Sequence, residues 1–374
     1  MQARVGEVGD DVRQRAPEIA RNQLEKLRCL GREASDVQLV GAHGLPLMRG
    51  GDWNDGMNRV GIEGKGESVW LGFFLCEVFR QFAGIATAYG DASFAEFCGS
   101  EGTRLRQALE QHAWDGAWYR RAYFDDGTPL GAASNEECRI DSISQSWSVL
   151  SSAAPGERSR QAMQAVDTHL VRRDDGLIRL LDPPFDKSSV DPGYIRGYVP
   201  GVRENGGQYT HGAVWAAMAF AALGDSERAW DLFNIINPLN HARSPAAVAI
   251  YKGEPYVIAA DLYALPPHVG RAGWTWYTGA AGWTYRLILE SLLGLRRDGE
   301  HLTLTPCLPA EWPGFSIDYR YRSATYRISL RQTPPGAAGQ QRVTTLIVDD
   351  VAQTGTRLLL VDDQQIHRVH MVTG

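Results

Sequence analysis

The hydrophobic pattern changes its period once along the chain, at about Leu295. Before that point apolar residues recur at helical spacing, as in residues 66–89, where Leu71, Leu75 and Val78 would share one helix face. After it, segments such as FSIDYRYR and ATYRISLR alternate in steps of two, the period of a half-buried antiparallel strand. These two periods in succession predict a mainly helical unit followed by a terminal β-domain of about 80 residues.

Further helices are predicted along the first part of the chain. The run QYTHGAVWAAMAFAAL at residues 208–223 is apolar on all sides, which is typical of a helix buried within a large soluble protein. Residues 281–292 repeat the helical period, and Gly294 is placed to end that helix. Weaker helical patterns occupy residues 17–30, 93–112, 140–152 and 157–171. Helices joined by long loops rich in Gly and Pro are what an (α/α) toroid gives, and loops of that length are usually functional.

Composition excludes several classes of function. The net charge is −6 and no basic cluster occurs, so the chain lacks the electrostatic footprint of a protein that binds nucleic acid or an anionic membrane. The five cysteines are far apart and outside CxxC spacing, which argues against disulfides and a zinc site and for a reducing compartment. The start MQARVGEVGD does not resemble a signal sequence, and no run of about 18 apolar residues occurs, so we predict a soluble, cytoplasmic chain. The 11 Trp and 14 Tyr residues favour sugar-binding walls.

Three polar, glycine-rich segments stand directly before predicted helices. They are GGDWNDGMNRVGIEGKGESVWLG at residues 50–72, PGYIRGYVPGVRENGGQYTHG at residues 192–212 and GRAGWTWYTGAAGWTYR at residues 270–286. Backbone N–H groups at helix N-termini attract anions, and three such segments suggest one shared mouth. For the first segment alone, an Asx-type turn formed by Asp52 and Asn54 explains the residues as well as a catalytic role does.

Together with EECRIDSISQSW at residues 136–147, these segments resemble glycoside hydrolase family 94, the inverting β-glucoside phosphorylases, from about Leu45 to His370. The first segment is more similar to the cyclic β-1,2-glucan synthases and β-1,2-oligoglucan phosphorylases of that family than to its cellobiose or chitobiose phosphorylases. The resemblance implies a mainly α fold, an (α/α)6 toroid followed by a small C-terminal antiparallel β-sandwich.

The resemblance also implies roles for individual residues. Asp55 matches the general acid, and His211, Thr278 and Gly279 match the residues that bind phosphate. The expected sugar contacts are Asp52, Trp53, Tyr198, Arg203, Glu204 and Gln208. Neither a metal nor a cofactor is expected, and inorganic phosphate is the co-substrate.

The chemistry of these residue types agrees with the implied roles. An inverting hydrolase needs a carboxylic acid and a carboxylate base, whereas phosphate is itself an anionic nucleophile, so one acid and several donors suffice. For Asp55 to donate a proton near neutral pH its pKa must rise from about 4, and burial beside Trp53 and a bound phosphate would both raise it. Structural roles stay open for the others: a histidine at a helix start for His211, a backbone cap for Glu204 and an N-cap for Thr278.

The match to the family is partial. In family members the DWND loop lies near the middle of the toroid, whereas here Asp52 comes almost at the start. We therefore expect an N-terminally truncated chain with an incomplete ring of about eight helices. Its parts are a divergent segment at residues 1–38, the toroid region at 39–295 and the β-domain at 296–374. A homodimer, or association with a chain carrying the missing part, would cover the apolar faces that an open ring exposes.

The leading interpretation is phosphorolysis of β-1,2-glucan with inversion, releasing α-glucose 1-phosphate and so controlling chain length. In a full cyclic glucan synthase, bound to the inner membrane, this region would face the cytosol. One alternative is an inverting hydrolase in which Glu204 activates water. Another is an inactive fragment that binds carbohydrate without turning it over.

Overall fold

The structure, a computed structural model, describes residues 40–333 and 344–373. In these residues eight α-helices precede a pair of β-sheets. The helices are α1 (Val69–Ala88), α2 (Ala92–Ala108), α3 (Ser142–Leu150), α4 (Gly156–His169), α5 (Thr210–Ala222), α6 (Ser226–Ile236), α7 (Pro245–Tyr251) and α8 (Thr278–Arg286). α2 and α8 continue as π-helical turns over Leu109–Ala113 and Leu287–Leu292. The helix predicted at residues 17–30 and the divergent segment at residues 1–38 lie outside the described residues.

Six of the eight helices are predicted by the hydrophobic period, and α6 and α7 are not. α7 has seven residues, which is too short for a period of 3.6 to be recognised. α6 begins at a side-chain cap, because Asp225 accepts a hydrogen bond from the backbone N–H of Arg228. That Asp before an amphipathic stretch is a sequence signal that would have located α6.

The helices form two rows. α1, α3, α5 and α8 pack side by side in succession, and α2, α4 and α6 each pack on the inner helix that precedes it. Each inner helix contributes one tryptophan to a common core. The ring centroids are 6.1 Å apart for Trp70 and Trp147, 5.2 Å for Trp147 and Trp215, and 5.5 Å for Trp215 and Trp283. This row of helices around an aromatic core is the expected toroid architecture.

Helix α1 has the length and apolar composition of a helix that could cross a membrane, alone among the helices of the described residues. Core helices of soluble proteins meet the same criteria, so this is weak evidence by itself. α1 also packs along α2 and buries Trp70, Phe73 and Cys76 in the helical core. Its apolar composition therefore has a role in packing.

Short strands fix the loops in front of the inner helices. They are β1 (Glu67–Ser68), β2 (Ala122–Tyr123), β3 (Pro129–Leu130), β4 (Ile140–Asp141), β5 (Val171–Arg172), β6 (Leu177–Ile178), β7 (Leu181–Asp182), β8 (Gln208–Tyr209) and β9 (Asp261–Leu262). β1, β4 and β8 run directly into α1, α3 and α5, and they pair with β2, β7 and β9. In front of α8, the backbone N–H of Gly273 donates to the Asp261 carbonyl at 2.9 Å. The loops in front of all four inner helices are thus hydrogen-bonded to other segments of the same chain.

The C-terminal strands form two sheets around one core. They are β10 (Leu295–Asp298), β11 (His301–Leu304), β12 (Gly314–Tyr321), β13 (Ala324–Gln332), β14 (Thr345–Val348), β15 (Val351–Gln353), β16 (Arg357–Leu359) and β17 (Ile366–Thr373). The strand orders are β10-β11-β16 and β12-β13-β17-β14-β15. Leu302 and Leu358 from the smaller sheet and Ile328 and Val369 from the larger one share a single apolar core. The expected antiparallel sandwich has one exception: β13 and β17 are parallel, because β14 to β16 intervene before the chain returns.

Candidate active site

Asp52, predicted to contact sugar, has its carboxylate in a buried ion pair. The two guanidinium nitrogens of Arg121 donate to it at 2.6 Å each, and the Ser68 hydroxyl donates at 2.5 Å. Both charged side chains are fully buried. Burial would raise the pKa of Asp52, but the charge and hydrogen bonds of Arg121 outweigh it and hold that pKa below its usual value. The carboxylate therefore has no exposed atom with which to contact sugar in this structure.

A second carboxylate shares the same arginine. Asp141 approaches the Nε of Arg121 at 3.3 Å and accepts the backbone N–H of Ile143 at 2.9 Å, which caps α3. Burial, with a further contribution from the charge of Asp52, raises the pKa of Asp141 to about 6 despite the opposing effect of Arg121. Arg121 thus connects the Asp52 loop to the start of α3. No motif in the sequence indicates this role.

Asp55, the predicted general acid, lies in a short 3-10 turn, Asp55–Met57, just beyond this ion pair. The side chain of Asn54 caps the turn by accepting the backbone N–H of Gly56 at 3.1 Å. Asp55 is exposed, contrary to the expected burial beside Trp53. Its turn packs against the Tyr194–Gly197 turn, and burial, followed by the influence of the Asp55 carboxylate, raises the pKa of Tyr194 to about 12.

The DWND loop and the PGYIRGY loop are in close contact. The backbone N–H of Arg59 donates to the carbonyl of Pro192 at 3.1 Å, and that of Tyr194 donates to Asn58 Oδ1 at 3.1 Å. Gly193 has a φ of +118°, and a Cβ there would lie 2.1 Å from Asn58 Oδ1. Only glycine fits both constraints, and this close approach brings Tyr194 to Asp55.

Glu204 faces this pair from the ENGGQYTH segment. Its Oε2 lies 3.4 Å from the Nε of Arg203. Burial raises the pKa of Glu204, Arg203 opposes the rise, and the charges of Asp55 and Asp261 add to it. The Arg203 guanidinium lies over the ring of Tyr198 at 4.9 Å. The structure therefore brings four predicted residues together: Asp55, Tyr198, Arg203 and Glu204.

Two buried polar side chains support this group from behind. Asn205 bonds the backbone N–H and carbonyl of Phe185 and the carbonyl of Tyr198, which fixes the loop. Gln208, predicted to contact sugar, is fully buried; its side-chain carbonyl accepts the Ile178 N–H at 2.8 Å and its NH₂ donates to the Thr210 hydroxyl at 3.3 Å. Its amide has no exposed atom for a ligand.

His211 lies in the first turn of α5 inside a cage of indole rings. Its ring centroid is 4.4 Å from that of Trp215, 5.4 Å from Trp53 and 5.7 Å from Trp283. Burial lowers the pKa of His211 to about 4, so the imidazole is neutral at pH 7. Its Nε2 is buried and has no hydrogen-bond partner among the described residues. A neutral imidazole can donate one hydrogen bond to an anion.

Thr278 and Gly279 are the first two residues of α8, and both are exposed. No side chain caps this helix start, so its first N–H groups face outward. Trp283, one turn further along α8, joins the cage around His211. Thr278 and Gly279 are thereby connected to His211, the third residue predicted to bind phosphate. The connection runs along α8 and through the contact between Trp283 and His211.

Sequence reasoning missed three residues of the site. Tyr194 lies within a recognised segment, which is the signal that could have found it. Asp261 accepts the backbone N–H of Trp274 at 3.0 Å, and burial raises its pKa. Like Arg121, Asp261 lies outside the three loops and carries no signal of its own.

Comparisons with known proteins identify the family of this chain. The model of the glycosyl hydrolase 94 superfamily catalytic domain matches residues 31–294, and that of the glycosyl hydrolase family 65 C-terminal domain matches residues 295–334. The cyclic beta-(1,2)-glucan synthase NdvB of Rhizobium meliloti (strain 1021) is 52% identical over 294 residues, which are 79% of this chain and 10% of that protein. Solabiose phosphorylase of Paenibacillus borealis is 34% identical over 309 residues, 82% of this chain and 39% of that protein.

A solved sialidase shares the fold, with a TM-score of 0.58 and 13% identity over 79% of this chain and 26% of that one. The chain thus spans well under half the length of the curated relatives that it matches. The family 94 model covers more than half of the chain, and the eight helices followed by C-terminal sheets are consistent with that family's helical toroid and β-domain. The chain belongs to the glycosyl hydrolase 94 superfamily.

Proposed function

We propose that this chain carries the acid and the phosphate-binding groups of an inverting phosphorylase of β-1,2-glucans. The observation that carries the proposal is the contact between the turn of exposed Asp55 and the turn that begins at Tyr194, on a loop whose Trp53 forms part of the cage around neutral His211. Two relatives support the proposal by their names. One is a cyclic beta-(1,2)-glucan synthase, which supports the glucan as substrate, and the other is solabiose phosphorylase, which supports the reaction type.

In the proposed reaction phosphate attacks the anomeric carbon of a glucosyl unit from the face opposite the leaving oxygen. The glycosidic bond breaks, the proton of Asp55 passes to the leaving oxygen, and α-glucose 1-phosphate and a shortened glucan result. His211 and the N–H groups at the start of α8 hold the phosphate, because a helix N-terminus and a neutral imidazole both offer donors without a fixed positive charge. Glu204 accepts hydroxyl hydrogens of the acceptor sugar.

A second candidate is inverting hydrolysis with Glu204 as the base. One observation favours it: Asp55 and Glu204 interact electrostatically, as the acid and base of such an enzyme would. Phosphate, itself an anionic nucleophile, needs no such base, so the dependence of turnover on phosphate separates the two candidates.

The test is incubation of the purified chain with β-1,2-glucooligosaccharides, with and without inorganic phosphate, and measurement of glucose 1-phosphate and free glucose. Release of glucose 1-phosphate that depends on phosphate and is lost in Asp55→Asn supports the proposal. Glu63→Gln, which removes an exposed carboxylate from the same segment, is the matched control and should retain activity. Glucose release without phosphate would favour the hydrolase, and binding without turnover would favour a carbohydrate-binding fragment.

For partners we propose a second copy of this chain or a polypeptide that carries the remaining part of the relatives' length. Exposed apolar side chains on α8 and its preceding loop, including Tyr277 and Tyr285, support such a contact. Light scattering of the purified chain at increasing concentration measures whether two copies associate.

A further inference from the structure

Two exposed aromatic pairs lie in or beside the loop that leads into α8: Trp274 with Tyr277, and Trp276 with Tyr256. Trp274, Trp276 and Tyr277 follow one another within residues 273–277, and Tyr256 comes from the loop after α7. The exposed fraction is 54% for Trp274, 66% for Trp276 and 74% for Tyr256. Aromatic rings this large are seldom left so exposed without a binding role when several lie together.

The two ends of this loop face different neighbours. The ring of Trp274 lies under the guanidinium of Arg203 at 5.2 Å, and that guanidinium also covers Tyr198. Trp274 therefore borders the group around Glu204. Two residues on, the ring of Trp276 is 6.2 Å from that of Tyr256. The loop thus connects the site to a second aromatic pair outside it.

The position of Trp276 is held by specific interactions. Its indole N–H donates to the Glu254 carboxylate at 3.1 Å, and its φ is +66°, in the left-handed region that side chains other than Gly, Asn and Asp rarely adopt. The flanking backbone is anchored, because the Ala260 N–H donates to the Trp274 carbonyl at 2.6 Å. A strained residue with an exposed ring, retained where glycine would relax the backbone, indicates a function for the ring.

We propose that Trp276 and Tyr256, with the carboxylate of Glu254 beside them, form a platform that binds glucosyl units of a β-glucan beyond those held at Asp55. Aromatic faces carry partial negative charge and pack on the C–H faces of sugar rings, and the carboxylate accepts hydrogens from hydroxyl groups. The proposal rests on the proposed function and extends it: the preferred substrate is a chain long enough to reach the platform, not a disaccharide.

The experiment compares the binding of a β-1,2-linked octasaccharide and disaccharide to the purified chain by calorimetry. Trp276→Gly removes the ring and suits the positive φ, so it should fold at least as well as the parent, and Tyr256→Ala removes the second ring. We expect each variant to weaken octasaccharide binding about tenfold, which corresponds to about 1.4 kcal/mol, and to leave disaccharide binding within about twofold. Tyr89→Ala, at an exposed tyrosine after α1, is the matched control and should change neither.

The possible results separate the two proposals. Unchanged octasaccharide binding in both variants, with turnover that still depends on phosphate, would overturn the platform and leave the phosphorylase standing. An equal loss for both sugar lengths would also overturn the platform, because the rings would then belong to the central site. Failure of the parent chain to bind either sugar would remove both proposals together.

Discussion

The loops in front of α1 and α8 differ in whether their polar groups are buried and paired or left exposed. The α1 loop is built on charge that is wholly buried and paired, since Arg121 holds Asp52 with two hydrogen bonds of 2.6 Å. The α8 loop has an uncapped helix start and exposed aromatic rings. In the proposed site, the buried ion pair of Asp52 holds the first loop in place next to Asp55, and the second loop leaves helix N–H groups and aromatic rings available to a ligand. The contrast predicts that mutations in the first affect stability and catalysis, and that mutations in the second affect ligand affinity.

The largest expected effect follows removal of Arg121. Arg121→Met would leave Asp52 and Asp141 buried without their countercharge, and we expect a loss of about 3–5 kcal/mol in the free energy of unfolding, measured by urea denaturation. Arg80→Met is the matched control: Arg80 also donates two hydrogen bonds of 2.6 Å to one carboxylate, that of Glu77, but its side chain is exposed. It should cost about 0–1 kcal/mol. Equal losses in the two variants would contradict the expectation that the buried ion pair contributes more to stability than the exposed one.

The next effect separates catalysis from stability within the α1 loop. Asp55→Asn should lower phosphorolysis at least about 100-fold, because it removes the proposed general acid. Its unfolding midpoint in urea should match the parent, since Asp55 is exposed. Asp52→Asn should lower the unfolding midpoint, because it removes a charge from the buried pair with Arg121. The idea fails if Asp55→Asn destabilises the chain as strongly as Asp52→Asn does.

The buried carboxylates also predict a dependence of stability on pH. The pKa of Asp141 is raised to about 6, so its contribution to stability is present below the unfolded value of 3.8 and is lost as pH rises through 6. The pKa of Asp52 is lowered, so its contribution is present above the unfolded value and is lost only at more acidic pH.

The test of this dependence is urea denaturation of the parent and of Asp141→Asn at pH 5 and pH 7. Protonation of Asp141 should stabilise the parent on going from pH 7 to pH 5 by at most about 1.4 kcal/mol for each unit of pH, whereas the lowered pKa values of His211 and His241 act in the opposite direction in both proteins. The stability of the parent minus that of Asp141→Asn should therefore be larger at pH 5 than at pH 7, because this difference cancels the contributions of the histidines and of Glu204 and Asp261, whose pKa values are also raised. An identical pH dependence in the two proteins would show that Asp141 does not titrate in this range.

The smallest effect is expected at the start of α8. Gly279 lies in the first turn of α8 with no atom within 4 Å of an added Cβ. Gly279→Ala should therefore stabilise the chain by about 0.4–1 kcal/mol, because alanine restricts the unfolded chain. The same methyl group would stand beside the outward N–H groups, so the KM for phosphate should rise while the KM for glucan stays constant. Steady-state kinetics with each substrate varied in turn measure this; an unchanged KM for phosphate would remove Gly279 from the phosphate site.

Much of this fold is predictable because long periodic segments carry it. The all-round apolar run at residues 208–223 is buried as α5, and the alternating segments after Leu295 form the two sheets. The short helix α7 and the parallel pairing of β13 with β17 are not predictable in this way. A seven-residue helix has too few turns for a period to appear, and the direction of pairing depends on the path of the whole domain.

For the site, the sequence by itself determined which loops carry polar residues and which residue types they present, because such motifs are local. Asp55 stands in one of them, and Glu204 and His211 stand together in another. Only the tertiary structure decided that Asp52 turns inward to Arg121, 69 positions along the chain, while Asp55 stays exposed. It also decided that His211 is neutral, since its pKa of about 4 comes from burial among rings of separate helices. Burial and ion pairing depend on groups distant in sequence, and so they are settled only when the chain folds.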